Sequence, residues 1–333
     1  MSDNELLLEV EDLRVEFRTS DGVANVLNGV SYSVHAGETL AVLGESGSGK
    51  SVTAQTVMGI LDMPPGVITG GAVRWRGEDL LTAPGERRRE VRGSEIAMIF
   101  QDALSALNPV FTVGFQIEEQ LRVRLGMSKK DARKRAIELL DTVRIPAADR
   151  RIKDYPHQFS GGMRQRAMIA MSLALDPDLL IADEPTTALD VTVQAQIMDL
   201  LGEIQAERKM GLVLITHDLG VVAEVADRIA VMYAGRIVEQ AEVGELFRAP
   251  GHPYTAALMD SLPRLDLKGQ TLETIKGLPP SLLHIPPGCP FHPRCKRAEA
   301  RCSSEVPPQH ALGFGRTSAC HFAEEVVSSR GSI

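Results

Sequence analysis

No cysteine occurs before Cys289, no apolar run is long enough to span a membrane, and basic residues are the minority, 36 against 44 acidic. A membrane-spanning helix needs about 18 apolar residues in a row. The longest such stretch here, Ala167 to Leu175, is interrupted by Ser172 and has the length of a core helix. The net charge of -8 argues against nucleic acid as a main partner, because phosphate backbones are bound by basic faces. The run Arg87-Arg88-Arg89, with Arg92, reads as a solvated loop. The opening Met1-Ser2-Asp3-Asn4-Glu5 is acidic where a signal peptide would be basic, so a cytosolic chain is expected. In a reducing compartment, four cysteines confined to Cys289–Cys320 point to metal ligation before disulfides. No internal repeat and no low-complexity tract is present.

A length of 333 residues with 44% hydrophobic content predicts about two domains with a substantial core. Leu13, Val15 and Phe17 alternate with Arg14 and Glu16, the pattern of a half-buried strand. Thr39 to Leu43 is a short apolar strand running into a glycine loop, and Val52 to Leu61 has helical spacing, stopped by Pro64-Pro65. Leu179 to Asp183 and Leu212 to Thr216 are largely apolar, as expected of parallel strands covered on both faces. From about Gln101 to Phe159 the texture is helical. Ser128 caps a helix carrying Ala132, Ala136, Leu139, Leu140 and Val143 on one face. After about Phe247 the chain becomes proline-rich, with eight of its 19 prolines between Pro279 and Pro308, so a loop-built appendage is expected there.

Gly44-Glu45-Ser46-Gly47-Ser48-Gly49-Lys50-Ser51 fits the P-loop pattern and lies between a predicted strand and a predicted helix. Its glycines let backbone N–H groups turn onto phosphate oxygens, and the helix N-terminus adds its positive dipole end. Lys50 would reach the β- and γ-phosphates of ATP and Ser51 would ligate Mg2+. The Leu179–Asp183 strand ends in two carboxylates, placing Asp183 at the magnesium and leaving Glu184 to orient the attacking water. Ser160-Gly161-Gly162 opens the apolar helix that follows and makes a second anion site. Two phosphate-binding helix starts and one P-loop suggest a dimer in which each chain completes the other's site.

With Ser160-Gly161-Gly162-Met163-Arg164-Gln165-Arg166, the sequence resembles the ABC ATPase family over about residues 6 to 245. Met163 stands where many members carry glutamine. The resemblance implies an α/β P-loop core with a helical signature subdomain. It assigns Gln101 to sensing magnesium and the γ-phosphate, and Ala188-Leu189-Asp190 to communication across the dimer. It assigns His217 to the γ-phosphate and the water, and Phe17 to stacking on adenine, where tyrosine is commoner. The expected boundaries are an ATPase domain over 1–247, with its helical insertion at about 101–160, and a cysteine-rich tail over 248–333.

Asp102-Ala103-Leu104-Ser105-Ala106-Leu107-Asn108-Pro109 and His252-Pro253-Tyr254-Thr255 are similar to segments of the ATPases of oligopeptide, dipeptide and nickel importers. That resemblance implies ATP-driven peptide import at the cytoplasmic face of a membrane. The implied partners are two membrane permease subunits, a second and often non-identical ATPase, and an extracytoplasmic solute-binding protein. Nickel or another small solute is the alternative cargo. A soluble ABC ATPase is a further alternative, although such proteins usually carry coiled-coil insertions or fused tandem halves. The tail also resembles one in which four thiolates, here Cys289, Cys295, Cys302 and Cys320, hold a [4Fe–4S] cluster; Zn2+ is the rival ligand. Arg294, Lys296, Arg297 and Arg301 against Glu299 are expected to offset the charge of an anionic cluster.

Overall fold

The computed structural model describes residues 5–187, 189–261, 275–313 and 315–330. The chain divides into two units. One comprises the residues up to Leu7 with Val34–Glu38 and Thr82–Ile215; the other comprises Leu8–Ser33, Thr39–Leu81 and Thr216–Ile333.

In the first unit, the strands Ile96–Ile99, Leu179–Asp183 and Gly211–Thr216 run parallel, with Ile96 opposite Leu179 and Leu179 opposite Gly211. Every residue of the three strands is buried. This is why the sequence shows apolar runs here in place of alternation. The helices Val113–Leu125 and Lys129–Thr142 lie within residues 101–160, where a helical insertion is expected, and Gly161–Ser172 follows them. Each begins at a hydroxyl cap: Thr112 accepts from the Phe115 amide, Ser128 from Asp131 and Ser160 from Met163. Such caps satisfy amides that the helix itself leaves unpaired. The expected face of Ala132, Ala136, Leu139 and Leu140 is the buried one. Gln165 to Ala170 are all buried, so the Gly161–Ser172 helix is enclosed on every side along that turn and a half. Arg166 is held there by donating to the Val143 carbonyl at 2.9 Å and to Gln196 Oε1 at 3.2 Å.

The second unit contains a four-stranded sheet ordered Gly22–His35, Leu6–Thr19, Gly66–Trp75 and Glu78–Asp79. Leu13 and Val15 are buried and Phe17 is half-buried, as their alternation predicts. The strand Thr39–Leu43 lies parallel to Arg228–Tyr233, which pairs antiparallel with Arg236–Glu242. Two differences from expectation stand out. The helix after the glycine loop spans Lys50–Val57 and ends before the prolines. Gly59, at φ 61, donates its amide to the Thr56 carbonyl while Ile60 donates to that of Gln55, a pair of bonds that closes the helix end. The tail, expected to be loop-built, supplies the strands His310–Gly313 and Arg316–Ser318, and the latter pairs with Arg236–Glu242 through Glu239 opposite Ser318.

A buried ion pair fixes that extension. Arg316, its side chain 6% exposed, donates to Glu239 Oε1 at 3.0 Å, and Glu239 is fully buried. Glu239 also accepts from the amides of Gly251 at 2.6 Å and His252 at 2.9 Å. Removing one partner of such a pair strands the other charge without solvent. Arg316→Ala should therefore lower the unfolding free energy by about 3–5 kcal/mol, read by denaturant titration of the purified chain. A loss below about 1 kcal/mol, the size of a surface pair, would show that Glu239 is neutralised by other means.

Candidate functional site

In the second unit, the Thr39–Leu43 strand delivers residues 44–49 to the start of the Lys50–Val57 helix. Gly44 has no room for a side chain: a Cβ there would stand 2.2 Å from the Met232 carbonyl oxygen and 2.9 Å from Ser48 Oγ. Lys50 is buried and folds back over the loop, donating to the carbonyls of Gly44 at 2.7 Å and Glu45 at 3.1 Å. Ser48 Oγ is buried with no hydrogen-bond partner among the described residues. A crowded glycine, a folded-in lysine, an orphaned hydroxyl and a helix N-terminus together fit an anion of phosphate size.

Glu45 is held from three directions. Its amide donates to Tyr254 Oη at 3.0 Å, and its carbonyl accepts from Lys50. Its carboxylate takes a two-pronged contact from Arg294, at 2.6 and 3.0 Å. The sequence alone placed Arg294 among charges facing the cysteines; the structure commits it to the glycine loop. The missed signal was the acid itself, a carboxylate inside an anion-binding loop. Phe17 is half-buried on its strand opposite Gly66, and His217 is exposed just after the Gly211–Thr216 strand.

In the first unit, Asp183 is 4% exposed at the end of its strand and is followed by Glu184, whose φ of 45 lies in the left-handed region. A side chain in that conformation is held there by its surroundings at some energetic cost. Its Oε2 accepts from Gln101 Nε2 at 3.0 Å and from Thr187 Oγ1 at 2.9 Å. The structure thus joins Gln101 and Glu184, which the sequence had given separate roles, and adds Thr187. Ser160 caps the Gly161–Ser172 helix, and Gly162 would bring a Cβ to 2.8 Å from Val193 Cγ1. Asp190 caps the Val191–Arg208 helix by accepting from the Val193 amide at 2.9 Å; Ala188 lies outside the described residues.

Cys289, Cys295, Cys302 and Cys320 are free thiols that line one cavity with Phe291 and Phe322. Gly288, at φ 70, lets two cysteine-bearing segments cross: a Cβ there would lie 2.4 Å from the Cys302 carbonyl, which accepts from the Cys289 amide at 2.8 Å. Burial, reinforced by the neighbouring thiols, pushes Cys289 and Cys320 up to about 11 and raises Cys295. Among the described residues, no group of three or more His, Cys, Asp or Glu is arranged to hold a metal ion. The positive surplus expected around the cysteines is smaller than the sequence suggested. Arg294 is engaged with Glu45, and Arg301 with Glu305 at 2.7 Å. His252 serves the fold: it is buried and held neutral, pushed down to about 3, and Nδ1 accepts from the Tyr254 amide at 3.0 Å.

Residues 27–187 match the family model described as ABC transporter, and residues 238–302 match that of the oligopeptide/dipeptide transporter C-terminal region. The chain is 49% identical over 321 residues to the dipeptide transport ATP-binding protein DppD of Bacillus subtilis, covering 96% of each. It is 50% identical over 315 residues to the oligopeptide transport ATP-binding protein OppD of Salmonella typhimurium, covering 95% of this chain and 93% of that one. Among solved structures, a dimeric bacterial ABC transporter cassette is similar with TM-score 0.64 and 27% identity, covering 71% of this chain and 99% of its own.

Lys50 is the loop's one ammonium, and a charge-assisted hydrogen bond is worth about 1.5–3 kcal/mol. Lys50→Ala should weaken nucleotide binding by about 10- to 100-fold in an equilibrium titration. Unchanged affinity would remove the loop from phosphate binding.

Proposed function

The chain belongs to the ATP-binding proteins of the ABC transporter family, and from that premise we propose that it hydrolyses ATP to drive import of di- and oligopeptides across the cytoplasmic membrane. The observation that carries the reading is the kinship of the entire chain, tail included: identity near 50% to a dipeptide and an oligopeptide transport ATPase, with a peptide-transporter C-terminal match at 238–302. By its family, the chain would act at the cytoplasmic face of two permease subunits; among the described residues no helix is long and apolar enough to cross a membrane. A second ATPase, often a non-identical paralogue, and an extracytoplasmic binding protein would complete the assembly.

In this reading residues Gly44 to Lys50 hold the phosphates through their amides, and Lys50 turns from the loop carbonyls to the β- and γ-phosphates. Magnesium, when bound, would supply positive charge to the phosphates. Ser51, Asp183 and Gln101 are the side chains that would hold it. Glu184, its Oε2 held by Gln101 and Thr187, would orient the attacking water. His217 would steady that water against the γ-phosphate, and Phe17 would cover adenine. Ser160, Gly161 and Gly162 would face the nucleotide of a partner ATPase, with Asp190 crossing the same interface.

For the tail we propose that Cys289, Cys295, Cys302 and Cys320 hold a [4Fe–4S] cluster. Four thiols around one cavity support it. Zn2+ is the alternative occupant, since four thiolates accept either metal centre. The cluster's contribution would be structural, fastening four segments of a proline-rich tail, with thiol protons released on loading.

Glu184→Gln in the assembled complex should keep ATP binding while lowering hydrolysis by about 100-fold or more, and peptide uptake by cells carrying it should cease. Hydrolysis near the unmodified rate would remove Glu184 from the chemistry. Separately, anaerobically purified chain should contain about four irons with matching sulfide and show broad visible absorbance, lost on Cys302→Ser. One zinc without iron would overturn the cluster.

A further inference from the structure

Glu45 sits inside a loop fitted for phosphate. An unneutralised carboxylate there would repel the anion the loop is fitted to hold. Its counter-ion comes from 249 positions further along the chain. The Arg294 side chain is 6% exposed and that of Glu45 25% exposed, and two N–H groups meet two carboxylate oxygens at 2.6 and 3.0 Å. This geometry fixes direction as well as charge, which a lysine could not do.

The guanidinium is itself immobilised. Nε donates to the Lys276 carbonyl at 3.2 Å and a terminal nitrogen to Tyr233 Oη at 3.3 Å, with the Tyr233 ring 5.8 Å away. The backbone beneath it is seated by Phe291, 2% exposed, whose ring lies 5.3 Å from those of both Tyr233 and Tyr254. Tyr254 in turn receives the Glu45 amide. Side chain and amide of one loop residue are therefore both gripped by residues beyond position 250.

We infer that Arg294 is a positioning residue of the nucleotide site: acting through Glu45, it holds the phosphate loop in its binding shape and cancels the one negative charge within it. This rests on the assignment of residues 44–51 to ATP. It makes the tail part of the nucleotide-binding machinery, where the sequence suggested a module remote from it.

The test is a double-mutant cycle on the full chain, titrated with adenylyl imidodiphosphate and magnesium. Arg294→Ala should raise Kd by about 10-fold when Glu45 is present. In a Glu45→Gln background the same change should cost less than about 3-fold, because there is no charge left to cancel. Arg294→Lys, which keeps the charge and loses the fork, should fall between, and serves alone if the alanine variant does not fold. A Kd indifferent to Arg294, or an equal loss in both Glu45 backgrounds, would overturn the clamp and leave nucleotide binding standing. No binding by the unmodified chain would overturn the nucleotide assignment and the clamp with it.

Discussion

A loop that binds phosphate does so by concentrating backbone N–H groups on one point, and three elements of the second unit converge on residues 44–49 in a way that suits such a loop. The buried strand Thr39–Leu43 aims the chain, Gly44 permits the approach of the Met232 carbonyl, and the Lys50–Val57 helix contributes its N-terminal end. Glu45 is the one acid within residues 44–51. Its carboxylate is met by the Arg294 guanidinium, beside which Tyr233, Tyr254 and Phe291 pack against one another.

The first unit solves a different problem, that of holding a carboxylate oxygen steady at the end of a strand. Glu184 leaves the Leu179–Asp183 strand in a left-handed backbone conformation and is then tied by Gln101 and Thr187. Its amide donates to the Ile215 carbonyl at 2.9 Å, so the strained residue is anchored to a buried neighbouring strand. Strain braced in this way leaves the side chain little freedom.

What was legible in the sequence is what local physics encodes. Strands buried on both faces, the hydroxyl cap at Ser128 and the glycine loop all announce themselves within a few residues. The end of the Lys50–Val57 helix was misplaced because Gly59 closes it by backbone bonds before the more conspicuous prolines are reached. The strands His310–Gly313 and Arg316–Ser318 escaped notice since four and three residues, polar in large part, carry no periodicity. Their formation depends on pairing with a distant strand and on the buried contact between Arg316 and Glu239. Arg294 was visible as a charge and invisible as a partner, for no local pattern reports a contact across so much chain. The thiols lie between these extremes: their clustering in sequence is matched by a shared cavity, while the occupant is a matter of chemistry beyond the fold.

The central claim, that this chain spends ATP on peptide import, is tested most directly by purifying the complete complex from its own host and reconstituting it in liposomes. ATP hydrolysis is then measured with its binding protein, with and without di- and oligopeptides. Hydrolysis that rises on peptide addition, accompanied by accumulation of peptide in the lumen, is the expected result. Hydrolysis that ignores peptides, or rises only with a metal ion such as nickel, would contradict it.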